Sequence, residues 1–350
     1  MKRLICFIMV LGIMVTLNVK LENKNVSAVD AISRSTVELP EDDDPLVDLP
    51  EEEQVSNEPV KIKKATPIII NGANIVLTPG NDGLVIMELN KYQLTQIASG
   101  EDEIIIDLTE HKIVTEKVKL AVLAGALTGK DIKYKSISIV TDGGIFKIPT
   151  GIKGTMWSRL NSSDRVEISI YKEYIMAKIT VNEKPFEWYE YKNPIVVIKP
   201  YEKTPDAVYD DLIAVSVKVN DGDRVIPTSR YKDGYLQYEA IYSGDYKAIY
   251  NNPKFIDIKG NWYETPVTYM AARRVVQGVS KGKFAPNEFV RRGDFVVMLM
   301  KTFSIGGLKA DTFSDVSEDS YYYDGITSAR ALGVINGVEN NNFKPDELIT

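Results

Sequence analysis

The sequence predicts a multidomain protein: a β-rich N-terminal module, α+β or β-sandwich-like, followed by an all-α region of helix–loop–helix repeats. Short runs of β-branched residues separated by turn signals fill the middle of the chain. A pattern that occurs twice near the C-terminal end then changes the apolar spacing from two residues to three or four. We expect five segments, at residues 1–28, 29–65, 66–252, 253–308 and 311–350.

The first segment, 1–28, has the organisation of a secretory signal peptide. Met1-Lys2-Arg3 is basic, Leu4 to Leu17 is almost wholly apolar, and Val26-Ser27-Ala28 offers the small residues that signal peptidase needs. The apolar run is short for a membrane span, and Cys6 precedes the run, whereas a lipoprotein cysteine follows it. We therefore expect a secreted chain that begins near Val29, with no cysteine and no transmembrane segment after signal removal.

Residues 29–65 are typical of an acidic, disordered linker. The runs Glu38–Pro45 and Asp48–Glu53 combine carboxylates with proline and offer too little apolar surface for a core. Loose calcium binding is the alternative, but the Asp-x-Asp-x-Asp-Gly spacing is absent from this segment. The formal net charge of −7 argues against nucleic acid as a partner.

The β-rich module is expected over residues 66–252. Asn71-Gly72 and Asp142-Gly143-Gly144 predict two hairpin turns, and Ser243-Gly244 predicts a last hairpin between Tyr235–Ala240 and Tyr246–Tyr250. One short helix is expected from Val118 to Leu127. Further strands are expected at Ile68–Ile70, Ile75–Leu77, Ile104–Ile106, Ile137–Val140, Ile145–Ile148, Val166–Ile170, Lys178–Val181, Ile195–Ile198 and Val215–Val219.

This module offers little catalytic chemistry. His111 is the single histidine, so we expect an exposed loop residue, no metal site and no cofactor. Asp210-Asp211 and Glu187–Glu190 are open to interpretation as carboxylates beside an aromatic sugar platform, but such residues in loops are more often plain surface. The tyrosines between Tyr231 and Tyr250 are expected to form cross-strand pairs or, if exposed, to bind glycan.

The two C-terminal copies share an ordered set of residues. A fixed offset of 59 relates Trp262 to Tyr321, Gly278 to Gly337, Phe284 to Phe343 and Pro286 to Pro345, and each copy opens on a Phe-x-Asp, ending at Asp257 or Asp315. The spacing predicts a first helix with a buried face of Val267, Met270, Ala271 and Val275, matched by Ile326, Ala329 and Val334, and closed by Gly278 or Gly337. A second helix is expected near Val290, with a buried stripe of Phe295, Met298, Leu299 and Thr302.

On these residues the region from Phe255 to Thr350 resembles the S-layer homology (SLH) family. The resemblance implies a trefoil of three such units that grips secondary cell-wall polysaccharide, a peptidoglycan-associated glycan often capped by a pyruvylated sugar, and hence a secreted protein of the cell wall or S-layer. Because the second unit breaks off at Thr350, we expect it to be truncated and the natural protein to continue into a third.

The resemblance also implies glycan-binding residues. Arg292 stands where the family's T-R-A-E motif has its arginine, although that tetrad here runs from Arg291 to Asp294 and lacks the threonine cap. Trp262 and Tyr321 supply an aromatic face for sugar, and Asp257 and Asp315 hold a loop or a sugar hydroxyl. The alternative is that these aromatic and acidic residues only seal and cap the helices, and that Arg292 is structural.

Two functions of different class remain open from the sequence. The first is a non-catalytic surface protein, anchored through SLH units, that displays a β-rich interaction module. The second is an anchored enzyme acting on polysaccharide or peptidoglycan, which requires a cleft with two carboxyl groups about 5–10 Å apart.

Overall fold

A computed structural model describes residues 59–129, 131–151, 155–219 and 222–349. The predicted signal peptide, Cys6 and the linker up to residue 58 lie outside the described residues. The described chain forms two compact units, residues 59–185 and residues 186–349. The division at residue 185 falls inside the predicted 66–252 module, whose boundaries stay a prediction. Within the described residues, the helices are all too short or too polar to cross a membrane.

The unit of residues 59–185 is mainly strand, as predicted. Its seven-stranded sheet has the order β1-β2-β3-β5-β8-β9-β10, with β3 and β5 parallel and the other neighbours antiparallel; β6 pairs with β4 in parallel and with β7 antiparallel. The strands are β1 Thr66–Ile70, β2 Ala73–Pro79, β3 Leu84–Glu88, β4 Glu103–Asp107, β5 Lys117–Leu123, β6 Ser136–Thr141, β7 Gly144–Pro149, β8 Arg165–Tyr171, β9 Lys178–Val181 and β10 Lys184–Pro185.

Both hairpins predicted in this unit are confirmed. Ile70 pairs with Ala73 across Asn71-Gly72, and Thr141 pairs with Gly144 across the second turn. The parallel pairs β3/β5 and β4/β6 make the strand pairing in this unit mixed.

The helix expected from Val118 to Leu127 is wrong. Residues up to Leu123 form strand β5, which is paired on both sides by β3 and β8, and only α2, Gly125–Thr128, is helical. The apolar residues of this segment fit both the helical and the strand spacing. The segment forms a strand because its backbone pairs with a neighbour on both edges. A helix missed by the sequence analysis, α1 Lys91–Ala98, carries a capping box: the Asn90 side chain accepts from the Gln93 N–H at 2.9 Å, and the Gln93 side chain accepts from the Asn90 N–H at 3.0 Å.

The unit of residues 186–349 begins with two three-stranded arrangements. In one, β15 pairs with β11 and β14; in the other, β12 lies between β13 and β16. The strands are β11 Ile195–Pro200, β12 Ile213–Val219, β13 Gly222–Ile226, β14 Arg230–Lys232, β15 Tyr235–Ala240 and β16 Asp245–Tyr250.

The predicted hairpin around Ser243-Gly244 is wrong, although both of its strands exist. The chain leaves β15 and crosses to pair β16 with β12 instead. Tyrosines join the two arrangements: the rings of Tyr238 and Tyr246 stack at 5.6 Å, and the Tyr246 hydroxyl donates to the Tyr242 carbonyl at 2.7 Å. The tyrosine pairs therefore link one sheet to another and do not lie across a single hairpin.

The repeat region contains three α-helices among the described residues: α3 Glu264–Ala272 and α4 Arg292–Thr302 in the first copy, and α5 Tyr323–Ala331 in the second. The buried face predicted for α3 and its following turn is confirmed for its four residues. In the second copy Ile326 and Ala329 are buried, but Val334 is about half exposed, so that part of the prediction is wrong. The helical character of the repeats is shown for α3 to α5; an all-α architecture for complete repeats stays a prediction.

Helix α4 contributes to two hydrophobic clusters. Its Phe295 and Met298 pack against the first-copy cluster around Val267, Met270 and Phe284. Its Val296 and Met300 belong to the second cluster, with Phe313, Val316, Ile326, Ala329 and Phe343. The predicted stripe is therefore incomplete, because Val296 and Met300 are more deeply buried than Phe295, Met298 and Leu299.

The two repeated glycines have a role other than the predicted helix stop. The residues with positive φ after α3 and α5 are Arg274 and Gly333, at φ 56° and 67°. Gly278 and Gly337 lie further along, where an added Cβ would stand 2.7 Å from a ring carbon of Phe255 and 2.6 Å from one of Phe313. The glycines are needed because an aromatic ring of each Phe-x-Asp packs directly on their backbone.

Candidate functional site

The beginning of helix α4 lies against the return loop of the second copy. The Arg292 N–H donates to the Glu347 carbonyl at 2.8 Å, and the Gly293 N–H donates to the Pro345 carbonyl at 2.8 Å. These carbonyls satisfy two of the N–H groups that a helix leaves unpaired at its start. The missing threonine cap is thus replaced by the backbone of the next repeat.

Gly293 suits this close approach. An added Cβ would stand 3.1 Å from a ring carbon of Tyr322 and 3.3 Å from the Pro345 carbonyl oxygen. A glycine in the first turn lowers the helical propensity, but it lets the second copy reach the helix end.

Arg292 is held by the second copy through one side of its guanidinium. Its Nε donates to the Phe343 carbonyl at 3.0 Å, and its central carbon lies 4.6 Å from the centre of the Phe343 ring. The side chain is half-buried. Among the described residues, neither terminal nitrogen of Arg292 has a hydrogen-bond partner.

Asp315 fixes the residue on which Arg292 rests. Its carboxylate accepts hydrogen bonds from the N–H groups of Phe343 at 2.8 Å and Lys344 at 2.7 Å. Phe343 then presents its carbonyl and its ring to Arg292. Asp315 is a positioning residue for Arg292 in this geometry.

Asp257 makes the same bonds in the first copy. It accepts from the Phe284 N–H at 2.9 and 3.1 Å and from the Ala285 N–H at 2.7 Å. Burial opposes ionisation of this carboxyl group, but the N–H groups of Phe284 and Ala285 outweigh it and lower the pKa of Asp257. The acidic pair therefore holds the two return loops, which is one of the two roles expected for it.

Tyr321 lies beside the start of α4. Its hydroxyl donates to the Asp294 carboxylate, and its side chain remains two-thirds exposed, at 67 %. Partial burial and the bond to Asp294 raise the pKa of Tyr321, so the hydroxyl stays protonated. Nearby, Arg291 forms an ion pair with Asp346 at 3.0 Å.

Trp262 is equally exposed, at 66 %, and its ring meets Tyr263 edge-on at 5.5 Å. None of the contacts between the described residues joins Trp262 to Arg292. The structure therefore brings Arg292, Asp315 and Tyr321 to the junction of the two copies, and leaves Trp262 and Asp257 in the first copy.

Sequence reasoning missed three members of this junction. Asp294 was not predicted as the partner of Tyr321, Phe343 was not predicted as the support of Arg292, and Asp346 was not predicted as the partner of Arg291. The repeat offset identified equivalent positions within each copy, whereas these contacts run between copies. The order of the motifs was the sequence signal that could have predicted these contacts, because it places the end of one copy beside the next.

Two of the other carboxylates weighed from the sequence are used within the fold, whereas Asp211 and Glu187 are exposed. Asp210 pairs with Lys203 at 2.5 Å, and the buried Glu190 accepts from the N–H groups of Lys192 and Asn193 at 2.9 and 3.0 Å. His111 is half-buried in a turn, so the expected exposed residue is only partly exposed. No group of three or more metal-ligating side chains is found in the part of the chain that the structure describes.

Comparison with known proteins identifies the two copies. The model of the S-layer homology domain matches residues 254–296 and 312–350. An amylopullulanase of Thermoanaerobacterium thermosulfurigenes is 31% identical over 121 residues, which are 33% of this chain and 6% of that protein. An endo-1,4-beta-xylanase A of Thermoanaerobacterium saccharolyticum is 30% identical over 29% of this chain and 9% of its own length.

A third relative is the surface-layer 125 kDa protein of Lysinibacillus sphaericus, 28% identical over 22% of this chain and 6% of that protein. The chain thus spans less than a tenth of the length of these curated relatives, and the enzymes match only in the S-layer homology region. No solved structure matches the chain.

Proposed function

We infer that this chain is a non-catalytic display protein. It carries two S-layer homology units, which anchor proteins to the cell wall and place this one at the cell surface. The S-layer homology units, over residues 253–308 and 311–350, hold secondary cell-wall polysaccharide without a covalent bond. The β-rich module, over residues 66–252, is the part displayed to the surroundings.

The ligand at the junction is a pyruvylated glycan, and Arg292 is the residue that recognises its carboxylate. The observation that carries this assignment is the hydrogen bonding of the Arg292 guanidinium. Its Nε donates to the Phe343 carbonyl, while both terminal nitrogens have no partner among the described residues. Two parallel N–H groups match the two oxygens of a carboxylate. Tyr321 supplies the exposed ring beside them, and Trp262 supplies the corresponding ring of the first unit.

Removal of the arginine tests the assignment. A hydrogen bond to a charged group contributes about 1.5–3 kcal/mol, so Arg292→Ala should weaken binding at this junction roughly ten- to a hundredfold. Arg292→Lys should restore only part of it, because an ammonium cannot reproduce the paired geometry. The measurement is a pelleting titration with purified, deproteinated cell wall, either intact or depyruvylated.

Arg330→Ala is the matched control. The central guanidinium carbon of Arg330 lies 4.1 Å from the centre of the Phe313 ring, and its side chain donates to Asn341 at 3.0 Å. Arg330→Ala therefore also removes an arginine that packs on a phenylalanine ring of the second unit. Equal retention of Arg292→Ala and Arg330→Ala on intact wall would contradict the role of Arg292. Equal binding of the unmodified protein to intact and depyruvylated wall would contradict the pyruvylated ligand.

The second candidate function is an anchored enzyme acting on polysaccharide, favoured by the names of the amylopullulanase and the xylanase. Those matches lie in the anchoring region and leave the β-rich module without an assigned activity. Release of reducing sugar from xylan, starch or purified peptidoglycan by the whole chain would replace the non-catalytic proposal with this one.

A further inference from the structure

A cavity of about 290 Å³ lies within the unit of residues 186–349, next to the β12–β13–β16 sheet and the ends of α3 and α4. Its wall combines residues of β13 with the turn after α3 and the segment that follows α4. The volume is at the lower end of the range for ligand sites, so a small ligand is indicated. The cavity is separate from the Arg292 junction, because none of the residues placed there lines it.

Positive charge predominates in the wall. Arg224, Arg273, Arg274 and Lys301 line the cavity together with two carboxylates, those of Asp223 and Asp324. Asp223 is bound by Lys247 at 2.9 Å, a residue outside the cavity wall, and Asp324 accepts from the Gly307 N–H at 2.6 Å. The two acidic groups therefore neutralise the four cations only in part.

Two of the cations are held in place by the fold. Arg273 is fully buried and donates to the carbonyls of Asp211 at 2.8 Å and Ser229 at 2.9 Å. Arg224 donates to the Tyr242 hydroxyl at 3.2 Å, and that hydroxyl donates to the Ser304 carbonyl at 2.9 Å. The hydrogen bonds thus orient these two side chains before any ligand enters, which lowers the cost of binding.

The other two cations are available. Arg274 makes one long contact, 3.4 Å from Nη1 to the Asp223 carbonyl. The Lys301 ammonium has no hydrogen bond or ion pair among the described residues. Partial desolvation disfavours the charged ammonium and lowers the pKa of Lys301. An anion bound beside Lys301 would offset that cost.

We propose that this cavity binds a small hydroxylated anion, a sugar acid or sugar phosphate of monosaccharide size. Its carboxylate or phosphate lies between Lys301 and Arg274, and its hydroxyl groups donate to the carboxylates of Asp223 and Asp324. Both kinds of anion share the charge-assisted hydrogen bonds that lysine and arginine offer. Such a ligand would bridge the strands and both S-layer homology units, since the wall draws on all three.

Calorimetric titration of the whole chain tests the proposal. The probes are glucuronate and glucose 6-phosphate, with glucose as the neutral analogue and inorganic phosphate as the anion without a sugar. We expect either or both charged sugars to bind, and the preferred one identifies the anion. Glucose should bind at least about tenfold more weakly, because it lacks the charge-assisted contacts.

Two variants locate the site. Lys301→Gln and Arg274→Gln should each weaken the charged sugar about ten- to a hundredfold. Lys281→Gln is the control, since Lys281 is an exposed lysine of the same unit that does not line the cavity. Wall pelleting of Lys301→Gln should be unchanged, which separates this inference from the Arg292 proposal.

Each of three results would overturn the inference: glucose as tight as both charged sugars, no binding of either charged sugar at millimolar concentration, or unchanged affinity in both variants. Inorganic phosphate that binds as tightly as the sugars would equally overturn it, because the hydroxyl contacts would then contribute nothing.

Discussion

Asp315 offers the sharpest test of how the two repeats build one site. The change is Asp315→Asn, which keeps the size of the side chain, removes its charge and turns one acceptor oxygen into an amide donor. The Phe343 N–H donates to one carboxylate oxygen at 2.8 Å and the Lys344 N–H to the other at 2.7 Å, so the amide leaves one of these two N–H groups without its acceptor. Charge-assisted bonds of this kind contribute about 1.5–3 kcal/mol each when shielded. Asp315 is exposed, so we expect a loss of about 1–2 kcal/mol in the free energy of unfolding.

The change should weaken binding as well as folding. A loosened Phe343 takes with it the carbonyl and the ring that orient Arg292, so retention on cell wall should fall by about tenfold, equivalent to 1.4 kcal/mol. The assays are urea unfolding and wall pelleting, both with the whole chain at a temperature where each variant is folded.

Asp107→Asn is the comparison variant. Asp107 accepts from the Thr109 N–H at 2.8 Å and from the Thr109 hydroxyl at 2.6 Å, both at one oxygen, so the same change removes the charge from a loop-holding carboxylate in the unit of residues 59–185. We expect it to cost stability and to leave pelleting unchanged. Equal pelleting by Asp315→Asn and Asp107→Asn would refute the positioning role, whatever the stability values are.

Two further predictions concern stability. Arg273→Ala should lower the free energy of unfolding of the 186–349 unit by about 3–5 kcal/mol, measured by urea unfolding, because it leaves buried carbonyls without a donor; a loss below about 1 kcal/mol would contradict this. Asp257 has a lowered pKa in the folded chain, so its stabilising effect is present above its ordinary pKa of 3.8 and is lost as the pH falls through the lower folded value. Asp257→Asn should therefore flatten the acid side of the Tm-against-pH curve, and an unaltered acid side would show that the carboxylate is not linked to folding.

Local sequence signals predicted the parts of this fold that depend on neighbours in the chain. Asn71-Gly72 specifies its hairpin because the turn accepts the positive φ angles observed there, 47° and 80°. The capping box of Asn90 and Gln93 was equally legible and was overlooked. The spacing of Val267, Met270 and Ala271 identified the buried side of α3, because that face is set by the helix period.

Contacts between distant segments were not predictable in the same way. Strand β16 follows the turn signal Ser243-Gly244, yet it pairs with β12. In this pairing Tyr246 packs against Tyr238 of another sheet, a contact that the turn residues do not encode. The candidate site divides likewise. Motif order supplied Arg292, Asp315 and Tyr321, but the support of Arg292 by Phe343 depends on the path of a loop 51 residues later.

At helix α4 the boundary of the sequence repeat differs from the boundary of the hydrophobic clusters. The sequence period begins at a Phe-x-Asp and ends after α4, whereas Val296 and Met300 of α4 complete the cluster of the following copy. A cut between the copies at the sequence boundary would leave Phe313, Val316 and Ile326 without those partners, and would expose the Val296 side of α4 to water.

The unit that can be exchanged between proteins is therefore larger than the unit that was duplicated. The first copy contains its whole cluster, whereas a second copy taken at its sequence limits lacks Val296 and Met300. Gene fusions that transfer the second copy with a complete core must therefore carry α4 of the first copy as well.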